Sequence, residues 1–126
     1  MLFWILAGLA VYLINIYLPA ALYLPREGLM THLGSRDKTP EANAITGRAR
    51  RALKNLQENM PFFLTLALLA FVVPGVDVAQ AQLGAEVFVI ARAVYIVMYM
   101  ISIPGLRSVA YGVGLVGNII QLMALI

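Results

Sequence analysis

The chain has 126 residues, 62% of them apolar and only 12% charged, with a mean hydropathy of +0.87. A soluble domain is about half apolar and about a quarter charged, so this composition excludes an ordinary soluble fold and predicts an integral membrane protein. The net charge of +3 comes without a soluble basic surface, which excludes a nucleic-acid-binding module, and with no cysteine any thiol chemistry must arrive with a ligand.

Four apolar stretches, at 2–25, 56–74, 84–103 and 107–126, each approach the ~20 helical residues that cross a hydrocarbon core of ~30 Å. The expected fold is therefore all-α, one four-transmembrane-helix bundle over 1–126, since these lengths suit helices and not barrel strands. The first stretch lacks a basic leader and outruns the ~7–15 apolar residues of a secretory signal, so it reads as a retained span. It carries Asn15 and ends near Leu24-Pro25-Arg26. The following loop holds the turn formers Gly28, Gly34, Ser35, Pro40 and Gly47, and Thr39-Pro40-Glu41 resembles a helix start. The second span is expected over 48–74, because Gly47 to Asn59 is a charged, helix-forming run leading into the apolar stretch, and Pro74-Gly75 then stops it. The third ends at Ser102-Ile103-Pro104-Gly105, a turn so tight that spans three and four must be antiparallel neighbours.

Charge placement predicts topology. Seven of the nine basic residues (Arg26, Arg36, Lys38, Arg48, Arg50, Arg51 and Lys54) lie between spans one and two or at the start of span two. Arg107 opens span four on the same side, while the loop near Pro74 to Gln80 has no Lys or Arg. By the positive-inside rule the loop 26–50 is cytoplasmic and both termini lie on the opposite side.

Arg92 lies within the third span, where a charge costs about 2.5–3.5 kcal/mol on insertion scales and must face protein, a partner charge or a polar ligand. Tyr95 and Tyr99 follow at i+3 and i+7 on its face. Span two repeats the pattern with Arg51, Lys54/Asn55 and Glu58, and span four opens with Arg107, Ser108 and Tyr111 on one face. Each stripe has a plain structural reading: a basic collar, an intramembrane Arg92–Glu58 pair, a snorkelling arginine. Three such stripes, clustered toward one side of the bilayer, describe instead a site for a polar, anionic ligand.

Other features carry less. Gly112-x-Gly114-x-x-Gly117 matches a dinucleotide loop, but it lies inside an apolar span, where small residues permit close helix contact. Asn118 and Gln121 suit interhelical hydrogen bonds. His32 is the only histidine, and no spacing suggests a metal site.

Arg51-Ala-x-x-Asn55-x-x-Glu58-x-x-Pro61-x-Phe63 resembles the span-two signature of the MAPEG family, membrane-associated proteins in eicosanoid and glutathione metabolism. Ala91-Arg92-x-x-Tyr95-x-x-x-Tyr99 resembles its third span, and Pro104-Gly-Leu-Arg107-Ser108-Val-x-Tyr111 the start of its fourth. The resemblance is to a bacterial-type member akin to microsomal glutathione transferase and leukotriene C synthase, in the inner membrane. It implies a homotrimer with glutathione bound as co-substrate between neighbouring subunits, and a lipophilic substrate or lipid reaching it from the bilayer. By position, Arg51, Lys54, Asn55, Glu58, Arg92, Tyr95, Tyr99, Ser108 and Tyr111 would line the tripeptide, with Glu58 taking its amino group. Arg107 would hold the sulfur as the catalytic residue: a fixed cation favours thiolate over thiol, and arginine supplies that cation without titrating. Arg26 is the candidate for the family's basic contact near the end of span one. Two positions depart from the pattern, Lys54 where arginine is frequent and Tyr95 where several members have histidine; lysine lacks the bidentate fork for a carboxylate.

The expected activity is that of a glutathione transferase or peroxidase. One alternative is a non-catalytic membrane subunit that binds lipid or docks on a larger membrane complex. Another is a small multidrug exporter, also a four-helix chain of this length; those rely on a carboxylate in the first span, and 2–25 has none.

Overall fold

A computed structural model describes residues 1–34 and 43–126 of the chain. Among these residues there are four long helices and one short one: α1 (Leu2–Glu27), α2 (Leu29–Leu33), α3 (Ala44–Val72), α4 (Val78–Met100) and α5 (Pro104–Ala124). The long helices α1, α3, α4 and α5 form an all-helical bundle in which α4 and α5 pack most extensively and α1 lies against α3 and α4.

Three of them, α1, α4 and α5, are long and apolar enough to cross a membrane. α3 differs in composition. Its 29 residues extend for about 44 Å at 1.5 Å per residue, well beyond a ~30 Å core, so its polar opening turns can stand clear of the hydrocarbon while its second half lies within it. The end where α3 begins and α4 turns into α5 is called the basic end below.

Helix boundaries follow local capping chemistry and refine the spans expected from hydropathy. Asn43 caps α3, its side chain accepting from the Thr46 backbone N–H at 2.9 Å. The proposed start at Thr39-Pro40-Glu41 lies outside the described residues. Asp77 caps α4 in the same way, accepting from Gln80 N–H at 3.0 Å, so the helix begins at Val78, six residues before the apolar stretch suggested. α3 ends at Val72, just before Pro74-Gly75. Between α4 and α5 the tight turn is present: Ser102 takes a positive φ of 63° and Pro104 occupies the first turn of α5, where its missing N–H goes unused.

Outward faces carry exposed Leu13, Ile14, Val94, Val97, Val116 and Ile119, the inverse of a soluble protein and suited to lipid. In lipid, helix association rests on close packing and polar contacts, because lipid chains are as apolar as leucine. The glycines show where that packing is tightest. A Cβ on Gly117 would sit 2.6 Å from the Phe88 nitrogen, and one on Gly84 would sit 2.6 Å from the Gly117 carbonyl oxygen. Gly112 has open space instead, so the glycine series is a contact motif only in its later members. Around this crossing Phe63 of α3 stacks on Phe88 of α4 at 4.4 Å, and Ile5, Met60, Ala67 and Ala85 complete the core. Gln121 and Asn118 are fully buried, but they bond to each other within α5, at 3.4 Å. Between α4 and α5 a polar tie runs instead from Gln80 Nε2 to the Ile120 carbonyl, at 3.5 Å.

Candidate functional site

Toward the basic end, α3, α4 and α5 bring their polar stripes together around one buried cation. Arg92 is 1% exposed, and its position eight residues before Met100 sets it about 12 Å from the end of α4. Its Nη1 donates to Asn55 Oδ1 of α3 at 2.9 Å. Among the described residues Nε and Nη2 have no hydrogen-bond partner. Aromatic faces take their place: the guanidinium carbon lies 5.0 Å from the Tyr111 ring centre, 5.2 Å from Phe88 and 5.6 Å from Tyr95. Such cation–π contacts are strongest where water is excluded. Room for the group comes from α5, since a Cβ on Gly114 would lie 3.3 Å from Arg92 Nε.

The expected alternative partner, Glu58, is not the one chosen. Glu58 is exposed and one turn further along α3 than Asn55, while the guanidinium sits level with Asn55. Arg92 therefore bonds to a neutral amide, and among the described residues no carboxylate pairs with it.

A second layer lies nearer the basic end. Arg51 Nε donates to the Tyr99 hydroxyl at 3.2 Å, and the Arg107 guanidinium stands 4.7 Å from the centre of the same ring. Tyr95 and Tyr99 contact each other at 5.5 Å, linking the two layers. Between them opens a cavity of about 270 Å³ lined by Asn55, Tyr95, Arg107, Ser108 and Tyr111. Among the described residues none of Arg51, Arg92 and Arg107 makes an ion pair. Three unneutralised guanidiniums beside one polar hollow create a positive field suited to an anion.

The remaining expected site residues lie elsewhere. Lys54 and Glu58 are exposed on α3 and do not line the cavity. Arg26 borders a separate small hollow with Tyr23, Glu27, Asn43 and Thr46. Tyr23 is faced there by Arg50, whose guanidinium is 5.9 Å from its ring. Two residues absent from the expected set, Phe88 and Gly114, shape the site by holding Arg92. Phe88 stands at i−4 from Arg92, a spacing visible in sequence; Gly114 becomes legible only once the register of α4 on α5 is known.

No curated protein and no solved structure matches the chain. The sequence does match one family throughout, over residues 1–126, in keeping with a helical membrane bundle whose polar stripes converge at one end, and the chain belongs to the MAPEG family.

Proposed function

We propose that the protein is a membrane-bound glutathione transferase or peroxidase. The observation that carries this reading is the cavity between α3, α4 and α5, lined by Arg107 with Arg51 and Arg92 close by, and among the described residues no carboxylate is paired to these three. Glutathione is a thiol with two carboxylates, and such a cluster can hold both the carboxylates and the thiolate. At about 270 Å³ the hollow falls just below the ~300–1,000 Å³ usual for small-ligand sites. Arg51, Lys54 and Glu58 stay exposed on the adjoining face of α3. That combination suits a site completed by a neighbouring subunit, as in a homotrimer, with Arg26 reaching in from the adjacent copy.

In this scheme Arg107, half-buried at the cavity wall, stabilises the glutathione thiolate after its proton passes to solvent. In conjugation the sulfur forms a bond to an electrophilic carbon, and the leaving group departs with the bonding pair. In peroxide reduction two glutathione thiols become one disulfide, while the hydroperoxide O–O bond is cleaved to an alcohol and water. The lipophilic partner arrives from the bilayer, with the basic end cytoplasmic. Ultraviolet thiolate absorbance during glutathione titration tests the reading. Wild-type protein should show the band and conjugate a model aryl halide, and Arg107→Ala should lose both. Equal signals in the two proteins would remove Arg107 from the chemistry, and no glutathione binding at all would favour a non-catalytic membrane subunit.

A further inference from the structure

On the opposite side of α4 from the polar cavity, α4 and α5 form a groove of about 420 Å³ lined by Leu83, Val87, Ile90, Val94, Val109 and Val113. Ile90, Val94, Val109 and Val113 are all exposed, so the groove opens to lipid. One charged residue lines it, Glu86. Eight residues after Val78, Glu86 lies about 12 Å into α4, one turn beyond Gln82, whose Oε1 accepts from the Met1 ammonium at 3.0 Å. Among the described residues nothing hydrogen-bonds or ion-pairs with it. Arg92 cannot serve as partner: six positions on, it points about 240° round the helix, and its guanidinium is enclosed by Asn55, Phe88 and Tyr111.

An unpaired carboxylate among exposed aliphatic side chains is poorly solvated by lipid, and packing alone would be better served by any aliphatic residue. We infer that the α4–α5 groove is a second binding site, one for a lipophilic cation whose charge is met by Glu86. The walls specify an apolar body, and the volume falls within the ~300–1,000 Å³ range of small-ligand sites. A compact ion with shielded or delocalised charge, such as a quaternary phosphonium or an aromatic ammonium, combines an apolar body with the positive charge that such a groove can meet. In the low dielectric there, its attraction to a carboxylate is far stronger than in water. The site shares no lining residue with the polar cavity and is independent of glutathione chemistry.

The experiment is equilibrium dialysis of tetraphenylphosphonium against the purified protein in zwitterionic nanodiscs, with empty nanodiscs subtracted. Wild-type protein should bind it saturably, and Glu86→Gln should weaken binding by about tenfold or more, as expected for losing one close charge pair. Val113→Trp, which fills the groove while keeping the carboxylate, should weaken it as well and stands in should the Glu86 variant fail to fold. Glu58→Gln, at an exposed carboxylate of α3 outside the groove, should leave it unchanged. Absence of saturable binding, as when acyl chains or a second copy occupy the groove, would overturn the proposal. So would binding that survives both groove variants, or that is lost only in Glu58→Gln.

Discussion

Toward the far end of the bundle, α4 and α5 close until the Gly117 carbonyl nearly touches the place a Gly84 side chain would occupy. One to two turns toward the basic end, the same two helices hold a guanidinium between them, with Gly114 on one side and tyrosine rings around it. The first region is dry, with Phe63 stacked on Phe88 and no room for a ligand. The second is propped open by the bulk of the buried Arg92, which is held by an amide acceptor and by aromatic faces on several sides. Rigidity at one end and a standing hollow at the other come from the same helix pair. The switch between them takes place at Phe88, whose ring belongs to both.

The largest way to break this contrast is at the dry crossing. Gly117→Leu should force α4 and α5 apart and destabilise the protein by about 3 kcal/mol or more in reversible detergent unfolding. Gly112→Ala, at the open glycine, should change stability by no more than about 1 kcal/mol, and in the stabilising direction. Equal losses at the two glycines would mean that the helices cross elsewhere. At the polar end, Asn55→Leu leaves the third nitrogen of Arg92 without an acceptor and should cost about 1–3 kcal/mol by the same measurement. An unchanged midpoint would show that the aromatic faces alone suffice. The smallest effect belongs to Tyr99→Phe, which removes only the bond from exposed Arg51 and should cost under about 1 kcal/mol. A larger loss would place Tyr99 among the supports of the buried layer.

Much of this was readable from the sequence because membrane spans and helical faces have strong, regular signatures. The four apolar stretches mark the four long helices, and the spacing of Arg92, Tyr95 and Tyr99 correctly groups them on one face. What sequence could not supply was the register between helices. Asn55 and Glu58 lie on the same stripe of α3, and charge alone favours the glutamate; only a one-turn difference in height gives Arg92 the amide. The same limit explains the glycines, for Gly112, Gly114 and Gly117 look alike until the crossing point separates open space, a cradle and a backbone contact. The early start of α4 had a different cause. Asp77 and Gln80 look like loop residues by polarity, yet Asp77 terminates the loop by capping the helix.

The turn of residues 101–103 has a consequence for how the chain enters the bilayer. Delivered alone, α4 would carry Arg92 into lipid at a cost of about 2.5–3.5 kcal/mol. Only three residues separate it from α5, which brings Tyr111 and Gly114 to the guanidinium. The short turn thus couples the two insertions in time as well as in space. A segment ending at Ile103 should insert less efficiently in a glycosylation-mapping assay than one extended through Ala124, and Tyr111→Ala should erase part of the gain. On this expectation the α4–α5 hairpin enters the membrane as a unit, with its charge already escorted.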